Sequence, residues 1–131
     1  MVHIIGAGCG AADLIKVKFG CENLYVTCGL APDALEDLPI PTHAFIGGSS
    51  GNLQEILAVL LRKNPDVRIV VNAVTVETMT EAAECAKYFG FTEYETVSVN
   101  IARSRKLGRY HMMTAHNPVS VITLQGGVLC D

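Results

Sequence analysis

Two glycine-rich turns and one basic cluster are the parts of this chain whose residue types could do chemistry. Residues 42–53 read THAFIGGSSGNL: an apolar strand at 43–46 breaks into Gly47, Gly48, Ser49, Ser50 and Gly51, then opens a helix. A strand that ends in small residues leaves backbone amides free and lets a ligand approach the chain closely. In an open α/β sheet that position is the carboxyl edge, where ligands bind. The same residues also suit a tight strand-to-helix connection with no ligand. A second turn follows the apolar residues 2–5 and reads Gly6-Ala7-Gly8-Cys9-Gly10. Its G-x-G-x-G spacing fits a nucleotide or S-adenosylmethionine loop. Arg103, Arg105, Lys106 and Arg109 place four of the ten basic residues within seven positions. Such a loop either clamps carboxylates or stands as a solvated basic turn.

The elements that must position these groups alternate strand and helix. Residues 11–19 allow about two and a half helical turns before Gly20, and 24–27 form a short second strand. A complete dinucleotide unit expects a carboxylate about twenty positions after the glycines, at the end of the next strand. Cys28-Gly29-Leu30 stands there instead, and Glu22 precedes the strand and so points to the wrong edge. Pro32 opens a helical turn over 32–38, and Pro39-Ile40-Pro41 leads rigidly into the strand at 43–46. Asn52 and Glu55 have the spacing of a capping box. Leu53, Ile56, Leu57, Leu60 and Leu61 make one helical stripe that Asn64-Pro65 ends.

Residues 67–71 form a buried strand ending at Asn72, which either contacts a ligand or shapes the turn. Thr75 caps a helix to Phe89 with Val76, Met79, Ala82, Ala83 and Ala86 inward, and Gly90 stops it. Residues 93–102 alternate, with Val97, Val99 and Ile101 on one face and Thr96, Ser98 and Asn100 on the other. Residues 110–115 and 119–124 read as two last strands paired as an antiparallel hairpin. The order predicts one α/β domain over residues 1–131, a three-layer Rossmann-like sheet, mostly parallel, with an antiparallel C-terminal hairpin.

Bulk properties narrow the function classes. Half of the residues are hydrophobic and 18% are charged, which excludes a disordered chain. The net charge of −3 provides no positive field for general nucleic-acid binding. No apolar run is long enough to span a bilayer and no leader pattern precedes the first strand, so a cytoplasmic protein is expected. The five cysteines include no C-x-x-C pair and the four histidines no H-x-x-x-H pair, so reduced, buried thiols and no metal are expected.

Several blocks carry a resemblance. FGCENLYVTCGLAPDALEDLP, HAFIGGSSGNLQEIL, RIVVNAVTVET and VSVNIARSRKLGRYHMMTAHNPVSVIT resemble, over about residues 19–124, the decarboxylating precorrin-6Y methyltransferases of cobalamin biosynthesis. The opening MVHIIGAGCGAADLIKVK is similar to the start of the tetrapyrrole methylases, whose usual proline stands here as Cys9. The first resemblance implies a class I, S-adenosylmethionine-dependent enzyme that methylates a precorrin or cobalt-precorrin and removes carbon dioxide from an acetate side chain. It implies cofactor contacts at Gly6, Gly8, Gly10, Gly29, Gly47, Gly48 and Ser49. Substrate contacts are expected at Asn72, Asn100, Arg103, Arg105, Lys106 and Arg109. One strand–helix unit of the family pattern is missing between the first glycine turn and the strand at 24–27, and Leu30 replaces the family's aspartate near the adenine. Those departures leave open a non-catalytic tetrapyrrole-binding or assembly module with impaired cofactor binding. The resemblance also implies a homo-oligomer; the edge left by a missing strand and the Val-, Ile- and Met-rich terminal strands point the same way, to a dimer or tetramer with residues 94–124 at the interface.

Overall fold

The computed structural model describes residues 1–6, 10–48 and 51–127. Gly8, Cys9, Ser49 and Cys130 lie outside the described residues. Strand β1 (Val2–Gly6), helix α1 (Gly10–Phe19) and strand β2 (Leu24–Cys28) form a parallel unit with Gly6 opposite Cys28. A single helix thus separates β1 from β2. Gly10 is the first residue of α1 rather than part of the turn before it. A 3-10 turn at Asp33–Leu35 leads to β3 (His43–Ile46), α2 (Leu53–Lys63), β4 (Arg68–Ala73) and α3 (Val76–Phe89). Four strands follow: β5 (Glu93–Val99), β6 (Ala102–Leu107), β7 (Tyr110–Ala115) and β8 (Val119–Gln125).

The central sheet runs β3-β4-β8-β5. β3 and β4 are parallel, and β8 lies antiparallel between β4 and β5. Three of its four strands therefore share one direction. The antiparallel hairpin of the C-terminal part joins β6 to β7, not β7 to β8. The reason is burial. Ser120, Ile122 and Leu124 alternate into the core, so β8 takes an interior position. Every residue of β6 and β7 is exposed. With β8 paired on both edges, it offers no free edge to another chain.

The core lies on one face of this sheet. Leu53, Ile56, Leu57 and Leu60 of α2 meet Ala82 and Cys85 of α3 over Ile46, Ile69, Val71, Ile122 and Leu124. Burying each of the large aliphatic side chains contributes about 1.5–3 kcal/mol. Cys85 is 4% exposed whereas Val76 is 69% exposed, so the inward stripe of α3 is rotated from the one predicted. Thr75 caps α3 through the amide of Thr78 at 3.2 Å. Gly90, at φ 66°, lets the amide of Phe91 reach the carbonyl of Ala86 at 3.1 Å and close the helix. The capping box of α2 does not form. Asn52 makes no side-chain cap bond, and the amide of Leu53 donates to Glu81 of α3 instead. Cys21 and Cys85 are free thiols, whereas Cys28 is disulfide-bonded, a departure from the reduced state expected for all five.

β1 and β2 make a separate two-stranded sheet. A cleft lies between β1 and β3, with the connector at residues 38–42 along its wall. The connector is tied to the end of α2. The ammonium of Lys63 donates to the carbonyls of Glu36 (2.7 Å) and Leu38 (2.5 Å), and the Asn64 amide donates to that of Pro41 at 2.8 Å.

Candidate functional site

The carboxyl ends of the parallel strands carry the glycines. Gly6 ends β1, and its carbonyl accepts from the amide of Gly29 at 3.3 Å. A side chain at Gly29 would place its Cβ 2.9 Å from the Cβ of Ala34, so the chain after β2 packs too tightly there for anything but glycine. Gly47 and Gly48 follow β3. A Cβ built on Gly48 would meet nothing within 4 Å, which leaves its backbone open to an approaching group. Gly51, at φ 85°, turns the chain into α2.

Asn72 belongs to the same edge as Gly47. The register pairs Ile46 with Val71, so the next residue of each strand is Gly47 on one and Asn72 on the other. Asn72 is inside β4 rather than after it, and is half-buried. On the far side of β8, Ala73 and Ser98 both pair with Ser120, so β5 also ends at this edge. Asn100 follows directly and is exposed. The β6–β7 hairpin therefore rises from the sheet edge that carries Gly47, Gly48 and Asn72. Its base is closed by the amide of His116 donating to the carbonyl of Ile101 at 2.9 Å.

The basic residues do not form one loop. Arg103, Arg105 and Lys106 are strand residues of β6, and only Arg109 belongs to the turn. Side chains alternate across a strand. Arg103 and Arg105 share a face with Tyr110 and Met112, whereas Lys106 falls on the other face, opposite His111. Arg109 covers the ring of Tyr110, 5.0 Å from its centroid, and donates to its hydroxyl at 2.7 Å. Sequence spacing concealed this split because a loop reading ignores parity. Residues 102–107 read ARSRKL, with four polar residues in a row, so no polar–apolar alternation marked them as a strand.

Among the described residues, the end of β2 offers no carboxylate to a ribose. Cys28 ends the strand and Gly29 follows it, and Leu30, where the resemblance implies an aspartate near the adenine, is 69% exposed. The glycine backbone fits a cofactor held by close approach rather than by an acidic side chain.

Residues 10–125 match the family model described as the precorrin methyltransferase domain. The chain belongs to that family. It is 43% identical over 102 residues to the protein of Methanothermobacter thermautotrophicus named "Probable cobalt-precorrin-6B C(15)-methyltransferase (decarboxylating)", covering 77% of this chain and 53% of that one. The chain thus spans about half the length of the curated relatives it matches. Two solved structures superpose on it with a TM-score of 0.83. One is precorrin-6Y C5,15-methyltransferase from Geobacter metallireducens GS-15, at 35% identity over 94% of this chain and 67% of the other. The other is precorrin 8W decarboxylase of Methanobacterium thermoautotrophicum, at 37% identity over 97% of this chain and 69% of the other. The fold is the Rossmann-like fold of class I methyltransferases. The family match begins at Gly10, so Gly6 and Gly8 stand outside it, while Gly29, Gly47, Gly48, Ser49, Asn72, Asn100 and the basic residues stand within it.

Proposed function

We propose that this chain acts, as one methyltransferase-like domain over residues 1–131, in the decarboxylating methylation of a precorrin or cobalt-precorrin in the cytoplasm. The observation that carries this reading is the β6–β7 hairpin. It lifts Arg103 and Arg105, beside Tyr110 and Met112, from the sheet edge that holds Gly47, Gly48 and Asn72. A flat ring with acidic arms matches that face: guanidinium groups grip carboxylates, and the apolar side chains accept the ring. Guanidinium contacts stabilise a carboxylate and so oppose its loss. Arg103 and Arg105 therefore suit the side-chain carboxylates that are retained, leaving the departing one elsewhere. S-adenosylmethionine, when bound, supplies an electrophilic methyl group. Gly29, Gly47, Gly48 and Ser49, with Gly6, Gly8 and Gly10 at the start of α1, would hold it by backbone contact. Asn72 and Asn100, with Arg109, complete the substrate set, while Lys106, on the reverse face of the hairpin, adds only its charge. Orientation of the two reactants is the chain's contribution, since methyl transfer requires no protein nucleophile.

A second reading is favoured by the exposed Leu30 and the absence of a carboxylate at residues 28–30. It is a non-catalytic tetrapyrrole-binding or assembly module with impaired cofactor affinity. Calorimetry with S-adenosylmethionine and its demethylated product separates the two. Low-micromolar binding, about −8 kcal/mol, supports the enzyme, and no measurable heat supports the module. In either case the exposed residues of β5, β6 and β7 suit a homo-oligomer. Light scattering at micromolar protein is expected to give at least twice the 14.0 kDa of one chain.

A further inference from the structure

A second site lies away from the glycine edge. β1 and β3 are not paired with each other, and the cleft between them has a volume of about 660 Å³. That is within the range of small-molecule pockets. Gly6, Gly29, Gly47 and Gly48 take no part in it. Phe45 and Val70 give it apolar walls. The ionisable side chains lining it are all basic, His3, His43, Lys63 and Arg68, and no aspartate or glutamate is among them.

Two of these groups lack partners. The Nε2 atom of His3 is buried with no hydrogen-bond partner among the described residues. Its ring is stacked on Tyr25, with centroids 5.1 Å apart and planes 18° from parallel, which fixes the plane of the imidazole. Arg68, paired in register with His43, has no ion-pair partner among the described residues; the salt bridge recorded there joins Arg62 to Glu36. A buried polar atom is costly to leave unpaired, and a guanidinium beside apolar walls favours a planar anion.

We propose that this cleft binds an amphipathic anion: an aromatic or aliphatic body lying against Phe45 and Val70, with one carboxylate or sulfonate received by Arg68 and His3. The test uses two fluorescent probes of the same ring system, anilinonaphthalene sulfonate and the uncharged phenylnaphthylamine. The sulfonate is expected to bind one per chain. Arg68→Met and His3→Phe should each weaken it about fivefold or more, while phenylnaphthylamine binds no more weakly than before. His3→Phe keeps the ring stack on Tyr25, and Arg68→Lys retains the charge and should recover most of the affinity. Equal binding of the sulfonate to all variants, equal loss of both probes, or its displacement by S-adenosylhomocysteine would each overturn the proposal.

Discussion

Glu81 of α3 accepts a hydrogen bond from the amide of Leu53, the first residue of α2, at 3.1 Å. One carboxylate thereby closes the helix that follows the Gly47–Gly51 turn and fixes the two helices to each other. A carboxylate at a helix N-terminus also meets the positive end of the macrodipole. Glu81→Ala is expected to lower stability by about 0.5–2 kcal/mol. Asn52→Ala, which removes no cap bond, should stay within about 0.5 kcal/mol. Urea denaturation of the two variants checks this, and equal losses would return the cap to Asn52.

That exchange of caps shows what was legible in the sequence. The strands and helices followed from periodicity and punctuation: the α2 stripe is buried as spaced, and Gly90 ends α3. Asn52 and Glu55 had the right spacing for a local cap, but the partner came from 28 residues away, where packing of α3 on α2 decides. The interior place of β8 was hidden for a similar reason. Residues 110–115 and 119–124 are close in sequence, and a short connection favours a hairpin. Burying Ile122 and Leu124 between β4 and β5 outweighed that local economy. The small residues that follow β1 and β3 were visible at once, and Gly51, at φ 85°, turns the chain where the sequence placed a turn. Which faces Arg103, Arg105 and Lys106 occupy required knowing that they lie in a strand.

Glycines at two places should separate folding from binding. A Cβ on Gly126 would lie 2.0 Å from the carbonyl oxygen of Pro65, which is backbone and cannot step aside. Gly126→Ala is expected to cost about 1–3 kcal/mol. Gly48→Ala meets nothing within 4 Å. Its stability should change by less than about 0.5 kcal/mol, while affinity for S-adenosylhomocysteine falls about tenfold as the new methyl blocks close approach. A Gly48→Ala variant that binds as tightly as the parent would remove this turn from the cofactor site.

Cys85 gives a pH dependence of known sign. Its thiol is pushed above its ordinary value of 9.0, first by burial and then by the charges of Glu81, Glu84 and Glu55. The folded state therefore holds this proton more tightly than the unfolded state does. Its contribution is complete below the unfolded value and is lost as pH rises through the folded one. Stability should fall more steeply from about pH 9 upward in the parent than in Cys85→Ala. Denaturation midpoints of both proteins at pH 8 and pH 10 would show it, and parallel curves would deny the coupling.

The two faces of the β6–β7 hairpin should behave differently toward a tetrapyrrole. Arg103 and Arg105 stand with Tyr110 and Met112, whereas Lys106 stands opposite His111 on the reverse face. A ring lying on the first face can place carboxylates on both guanidinium groups while its plane rests on Tyr110 and Met112. It cannot reach Lys106 at the same time, because alternate residues of a strand point to opposite sides. With a polycarboxylate porphyrin as the probe, Arg103→Gln and Arg105→Gln are each expected to weaken binding about five- to tenfold. Lys106→Gln changes the net charge by the same amount but should weaken it less than about twofold. Absorbance titration at two salt concentrations distinguishes contact from general attraction. Equal losses for all three variants, vanishing at high salt, would mean that only the summed charge of the hairpin matters and that neither face is a binding face.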